Sequence, residues 1–245
     1  MAIQPELDRP AFYALRRGRW RDLITLLHPP YTAWHLSYVA LGAATAPVVH
    51  LDRLLASLAA FFLAVGISAH ALDELHGRPL GTDISERALV TVAVMGLLGA
   101  VALGVVGAAT VSVTLLPFVA VGSFLVLAYN LELFEGRFHS DQWFAVAWGA
   151  FPALTGYWAN ALSLDVAGVL VAAACWALSV AQRRLSTPVR ELRRRTAAVE
   201  GSQRLTDGRV IELSASTLAA PLDGALRALS LAVPLLAAGA LAIRL

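Results

Sequence analysis

Charge-free apolar runs alternate with short charged segments along the whole chain, and most of the runs are of membrane length. A helix that crosses the hydrocarbon core of a bilayer needs about 20 apolar residues. Stretches without Asp, Glu or Arg cover residues 23–51, 54–72, 88–131, 142–164, 166–182 and 228–243. Pro29-Pro30 marks the start of the first helix, a position where proline is tolerated. The run 88–131 is long enough for two helices, broken near Gly107-Ala108-Ala109-Thr110. The last run is short and requires Arg227 to snorkel. The pattern predicts an all-α polytopic membrane bundle of about seven transmembrane helices. These form one domain, 23–245, after a basic segment 1–22 and with one long loop, 183–222. Gly96, Ala100, Gly104 and Ala108 recur at four-residue spacing, which predicts a face for close helix packing.

Composition agrees. Of 245 residues 58% are hydrophobic and 15% charged, against about a quarter charged in soluble domains. That excludes an ordinary cytosolic protein, a disordered chain and a nucleic-acid module. The 19 basic residues are all arginine, so no lysine can cradle a phosphate or form a Schiff base. The lone Cys175 lies in an apolar run and reads as a buried small hydrophobe. Arg9, Arg16, Arg17, Arg19 and Arg21 precede the first span, a flank unlike a cleavable signal. Loop 183–222 adds eight more arginines, while the opposite side carries only Arg53 and Arg244. Positive charge stays inside, which predicts a multi-pass protein of the cytoplasmic (inner) membrane with its N-terminus in the cytoplasm and its C-terminus outside. The inner loops are then 73–87, 132–141 and 183–222.

Ionisable groups at membrane depth are costly, so their placement is informative. One group ends span two, where His70, Asp73 and Glu74 share a helical face, followed by His76, Gly77 and Arg78-Pro79. A second ends span four, with Tyr129, Asn130, Glu132, Glu135, Arg137 and His139; if helical, Glu132 and Glu135 share a face. Both fall on the predicted cytoplasmic side. His70, Asp73, Glu74, His76, Glu132, Glu135 and His139 are the types a divalent metal takes. Oxygen ligands suit magnesium, and mixed imidazole and carboxylate allow iron, manganese or zinc. His28 and His35 stack on one face of span one, and a hydrogen bond to a neighbouring helix is the preferred role for a buried histidine there. Asp223, in Asp223-Gly224, has no acidic residue after it and starts no motif.

The stretch Asp73-Glu74-Leu75-His76-Gly77-Arg78-Pro79-Leu80, with Thr82 and Ile84-Ser85, resembles the first aspartate-rich motif of the UbiA superfamily of membrane prenyltransferases. Tyr129 to Tyr157, with the Gly-rich segment 148–156, resembles that family's connection from helix four to helix five, and His28-Pro29-Pro30-Tyr31-Thr32 its entry to helix one. The resemblance covers about residues 25–160. It implies a bundle around a cavity open to the cytoplasm and to lipid, in which magnesium bridges aspartates to an isoprenyl diphosphate and the allylic C–O bond ionises. Asp73, Glu74, Tyr129 and Asn130 are then the catalytic candidates, and Arg78, Arg137, Arg183, Arg184 and Arg190 the diphosphate contacts. The match is divergent. Ala69-His70 stands where the first motif opens with Asn-Asp, and 179–196 contains no aspartate for a second motif, only arginines, Gln182 and Glu191.

Three functions fit these residues. The first is a UbiA-like enzyme that transfers or cyclises a prenyl group, with Mg2+ and a membrane isoprenoid or lipid partner. The second is a His/carboxylate lipid oxidase or hydroxylase using iron, manganese or zinc on the same scaffold. The third is a non-catalytic lipid-binding membrane subunit.

Overall fold

The structure, a computed structural model, describes residues 9–15 and 18–245. Five of its helices are long and apolar enough to cross a bilayer, and two more rods pack among them. After a short helix α1 (Arg19–Leu26) come α2 (Pro29–Thr45), α3 (Leu51–Leu75), α4 (Glu86–Thr110), α5 (Val113–Asn130), α6 (residues 141–161) and α7 (Val166–Arg194). A two-stranded antiparallel hairpin, β1 (Ser202–Arg204) and β2 (Val210–Glu212), then leads to α8 (Ala215–Arg244).

Each boundary has a local cause. Pro29 and Pro30 open α2, where their missing N–H groups are not required. Side-chain oxygens of Ser85, Ser140 and Asp165 cap α4, α6 and α7 by accepting early backbone N–H groups, and Ser214 forms a capping box with Thr217 on α8. The chain breaks between Thr110 and Val113, next to the glycine-alanine segment.

Two helices are not regular throughout. α3 passes through a π-helical stretch at Phe62–Ala69, and α6 through one at Val146–Ala150. In α6 the cause is Pro152, whose missing N–H removes the bond to the carbonyl of Trp148. π turns rotate the residues that follow relative to a regular helix. Here the first immediately precedes His70 on α3, and the second contains Trp148 on α6.

The tightest helix contact is α2 on α6. A Cβ on Gly42 would lie 1.9 Å from the Ala153 carbonyl oxygen, and one on Gly156 would lie 2.1 Å from that of Val39. The small-residue face of α4 does pack closely, but on two partners. Gly96 meets the Leu63 carbonyl of α3, and Gly104 meets Val119 of α5.

Two expected boundaries are corrected. The segment 183–222 is not one loop: α7 continues to Arg194, and α8 begins at Ala215 rather than near 228. A charge-free criterion stops where charge begins, whereas these helices continue beyond that point. The expected basic segment 1–22 falls partly outside the described residues. Its described part ends in α1, which exposes Trp20, Leu23 and Ile24 while burying Asp22. The Asp22 carboxylate accepts the N–H groups of Gly18 and Asp83 and so ties this helix to the 76–85 loop.

Candidate functional site

The arginine-rich end of the bundle encloses a polar chamber of about 150 Å3. α3 contributes Ala69, His70 and Asp73, α5 ends there with Tyr129 and Asn130, and α7 supplies Gln182, Arg183, Ser186, Arg190 and Arg194. The α7 residues recur every three to four positions, so a single helical face carries three guanidinium groups into the chamber. Phe144 and Trp148 of α6 and Tyr31 of α2 form aromatic walls. Tyr129 stacks on the His139 ring at 4.5 Å, inclined by 27°, and lies edge-on to Trp148 at 5.7 Å.

Asp73 and Glu74 are neighbours with opposite fates. Glu74 is fully buried, and its oxygens accept the Leu80 N–H at 2.9 Å, the Thr82 N–H at 2.8 Å and the Thr82 hydroxyl at 2.9 Å. It pins the loop after α3 and has no face toward the chamber. Asp73 lines the chamber, has no hydrogen-bond partner among the described residues, and lies within electrostatic reach of Arg194, Arg190 and Arg183.

The arginines also differ. Arg183 donates to Asp141 at 2.7 Å and stacks over Phe144, 5.1 Å from the ring centre. Arg190 donates only to the Thr187 hydroxyl, at 3.2 Å, and Arg194 only to the Pro10 carbonyl, at 3.2 Å, among the described residues. Arg184 lies off this face and is exposed. Arg78 takes a left-handed φ of 51° and donates to the carbonyls of Thr82 and Ile84, holding its own loop together. Arg137 sits exposed on the 131–140 turn. Of the five expected diphosphate contacts, the structure therefore brings Arg183 and Arg190 to the chamber and leaves Arg78, Arg137 and Arg184 outside it.

The expected metal set is likewise divided. Glu132 and Glu135 share no helical face, because α5 ends at Asn130 and the chain turns with φ of 49° and 59° at these two residues. Glu135 points away, exposed. Glu132 lies 3.6 Å from His76 and 3.8 Å from His139, a half-exposed trio of loose pairs. The His70 Nδ1–H donates to the Gly66 carbonyl at 3.2 Å, and its ring lies 4.0 Å from that of His28. Among the described residues no three His, Cys, Asp or Glu side chains gather where they could hold an ion. Magnesium takes an octahedron of oxygens with one or two carboxylates; the chamber offers Asp73 and one oxygen of Asp223, each set among guanidinium groups that repel a cation. The donor set does not fit it.

His35 bonds Gln182 of α7 at 3.3 Å, the helix-to-helix role expected of a buried histidine. Cys175 is buried. Asp223 was not legible as a site residue. It is buried in the chamber wall on α8, with one oxygen paired to Arg193 of α7 and the other without a partner among the described residues. Its signal was a single carboxylate in an otherwise apolar helix. The Asn130 amide is turned back to the Val126 carbonyl at 2.7 Å. Residues 10–13 cross the mouth of the chamber, where Tyr13 packs on His28 and Tyr31, and Arg193 and Arg194 hold the carbonyls of Arg9 and Pro10.

A second cavity, of about 220 Å3, lies deeper in the bundle between α3, α4, α5 and α6. Its walls are mostly apolar, with Ala56, Ala60 and Ala64 on α3 and Leu97, Phe118 and Phe151 among those opposite, and Asp52 and Arg53 lie at its far end. It begins at Val65 and Trp148, which also line the polar chamber, and reaches Asp52. That distance is about 20 Å along α3 at 1.5 Å per residue.

Compared with protein-family models, curated proteins and solved structures, the chain matches none.

Proposed function

We propose that the protein is a UbiA-like enzyme of the cytoplasmic membrane that binds a prenyl diphosphate and transfers or cyclises its prenyl group. The observation that carries this reading is the junction at Val65 and Trp148. A chamber lined by Arg183, Arg190 and Arg194 adjoins an apolar cavity about two thirds as long as the bilayer core is thick. An amphiphile with a compact anionic head and one long apolar chain matches both parts. α2 and α6 complete a seven-span bundle, and the arginine-rich end, by the positive-inside rule, is cytoplasmic.

The chemistry asked of such a site is separation of charge. The allylic C–O bond breaks, and both electrons leave with the diphosphate. Guanidinium groups fixed along the chamber wall stabilise the growing negative charge. The prenyl cation is left near the faces of Tyr129, Trp148 and Phe144, whose π electrons favour a positive charge. An acceptor captures it, or a proton is lost.

The test uses the protein in lipid nanodiscs with geranylgeranyl diphosphate. The diphosphate should bind, inorganic diphosphate should bind more weakly for want of the apolar chain, and Arg190→Gln should weaken both. Equal affinity for the two ligands, or no effect of Arg190→Gln, would remove the reading.

A further inference from the structure

We infer that this chamber holds a diphosphate head through guanidinium groups alone, with no divalent cation bridging protein and ligand. The inference rests on the prenyl diphosphate reading and adds how that head is recognised.

The charge census of the chamber carries it. A bridging cation needs carboxylate oxygens on the protein and phosphate oxygens on the ligand, held near-octahedrally about a small ion. On α3 only Asp73 is available, since both oxygens of Glu74 are occupied by the loop. The chamber face of α7 carries no carboxylate at all; its ionisable members are Arg183, Arg190 and Arg194. On α8, Asp223 has given one oxygen to Arg193 and keeps the other without a partner among the described residues, so the chamber offers at most two carboxylates, both set among guanidinium groups. The wall that would face the ligand across from Asp73 is thus cationic, and an added metal ion there would meet the guanidinium groups of Arg190 and Arg194, which no carboxylate pairs among the described residues.

The same groups suit an anion. Guanidinium is planar and always charged, and its fork of N–H donors matches two phosphate oxygens. Arg183 is already neutralised by Asp141. Arg190 and Arg194 are not: among the described residues they bond only a hydroxyl and a backbone carbonyl, respectively. These two guanidinium groups are the diphosphate contacts. Asp73 then lies beside the bound anion as a like charge, and its effect on affinity has the opposite sign from that of a metal ligand.

That sign makes the test decisive. Geranylgeranyl diphosphate binding is measured on the nanodisc protein in EDTA and in excess Mg2+, for the wild type, Asp73→Asn, Arg190→Gln and Arg194→Gln. Each variant is first checked for wild-type elution and thermal unfolding. Affinity should be the same in EDTA as in Mg2+, and it should rise or hold in Asp73→Asn. It should fall about tenfold or more in Arg190→Gln, and by a similar factor in Arg194→Gln, the loss of one charge-assisted pair. Binding that needs Mg2+ and is lost in Asp73→Asn overturns the inference and leaves the prenyl diphosphate reading standing. Binding in neither buffer removes both.

Discussion

The two cavities share Val65 and Trp148 and little else. The chamber at the arginine-rich end is built from residues that would be costly to bury alone, supplied by several helices and many held by a named partner. The deeper cavity is lined mostly by apolar side chains, and its space comes from residues too small to fill it, such as Ala56, Ala60 and Gly122. Recognition in the first depends on direction, because hydrogen bonds and ion pairs fail when misaligned. In the second it depends on volume and length, since dispersion and burial are non-directional. Damage to the first should abolish binding of a head group, whereas damage to the second should change which chain is accepted.

The largest expected effect breaks the framework of the polar side. Glu74→Ala leaves three buried donors unsatisfied at about 1–3 kcal/mol each, so thermal unfolding in detergent should register a loss of about 3–9 kcal/mol. Glu74→Gln, which keeps an acceptor, should lose less. Next comes the apolar side: Ala60→Phe should weaken geranylgeranyl diphosphate about tenfold and leave inorganic diphosphate unchanged, because only the chain meets the new ring. Equal losses for both ligands would mean that the two cavities do not act separately. Arg183→Gln should cost only about threefold in affinity, since its charge is already matched by the half-exposed Asp141. A loss as large as that of Arg190→Gln would erase the distinction drawn among the arginines.

The smallest effect lies outside both cavities. In the β1–β2 hairpin the Arg209 backbone N–H, and then its guanidinium, bond the Asp207 carboxylate and hold its pKa below the usual 3.8. A lowered carboxylate pKa stabilises the folded turn at pH above that usual value, and the contribution disappears as the pH falls through the lower folded value. Amide exchange at Arg209 should therefore quicken in Asp207→Ala, with ligand binding unaffected.

Much of the architecture was legible because bilayer thickness and charge scarcity act over whole segments. The starts at Pro29 and the break after Thr110 follow from local chemistry alone. The ends of α7 and the beginning of α8 were not legible, since a helix that projects beyond the hydrocarbon can carry charge without stopping. At the site, Asp73 and Glu74 mark the boundary of what local reasoning reaches. They are adjacent and chemically alike, and their separation depends on where the backbone of Leu80 and Thr82 returns, a tertiary fact. The expected helical pair Glu132 and Glu135 failed for a related reason: α5 ends at Asn130, two residues before the first of them. Asp223 needed the neighbouring helix to supply Arg193 before it had a role.

The reciprocal approach of α2 and α6 has a consequence for how the sequence can vary. Added bulk at Gly42 or Gly156 collides with a backbone carbonyl of the partner helix, of Ala153 in one case and Val39 in the other. Most packing defects can be relieved by trimming the side chain opposite, but every residue carries the same carbonyl. No second substitution at the point of contact can make room. A selection for suppressors of Gly156→Val should thus return the original glycine, and nothing at position 39.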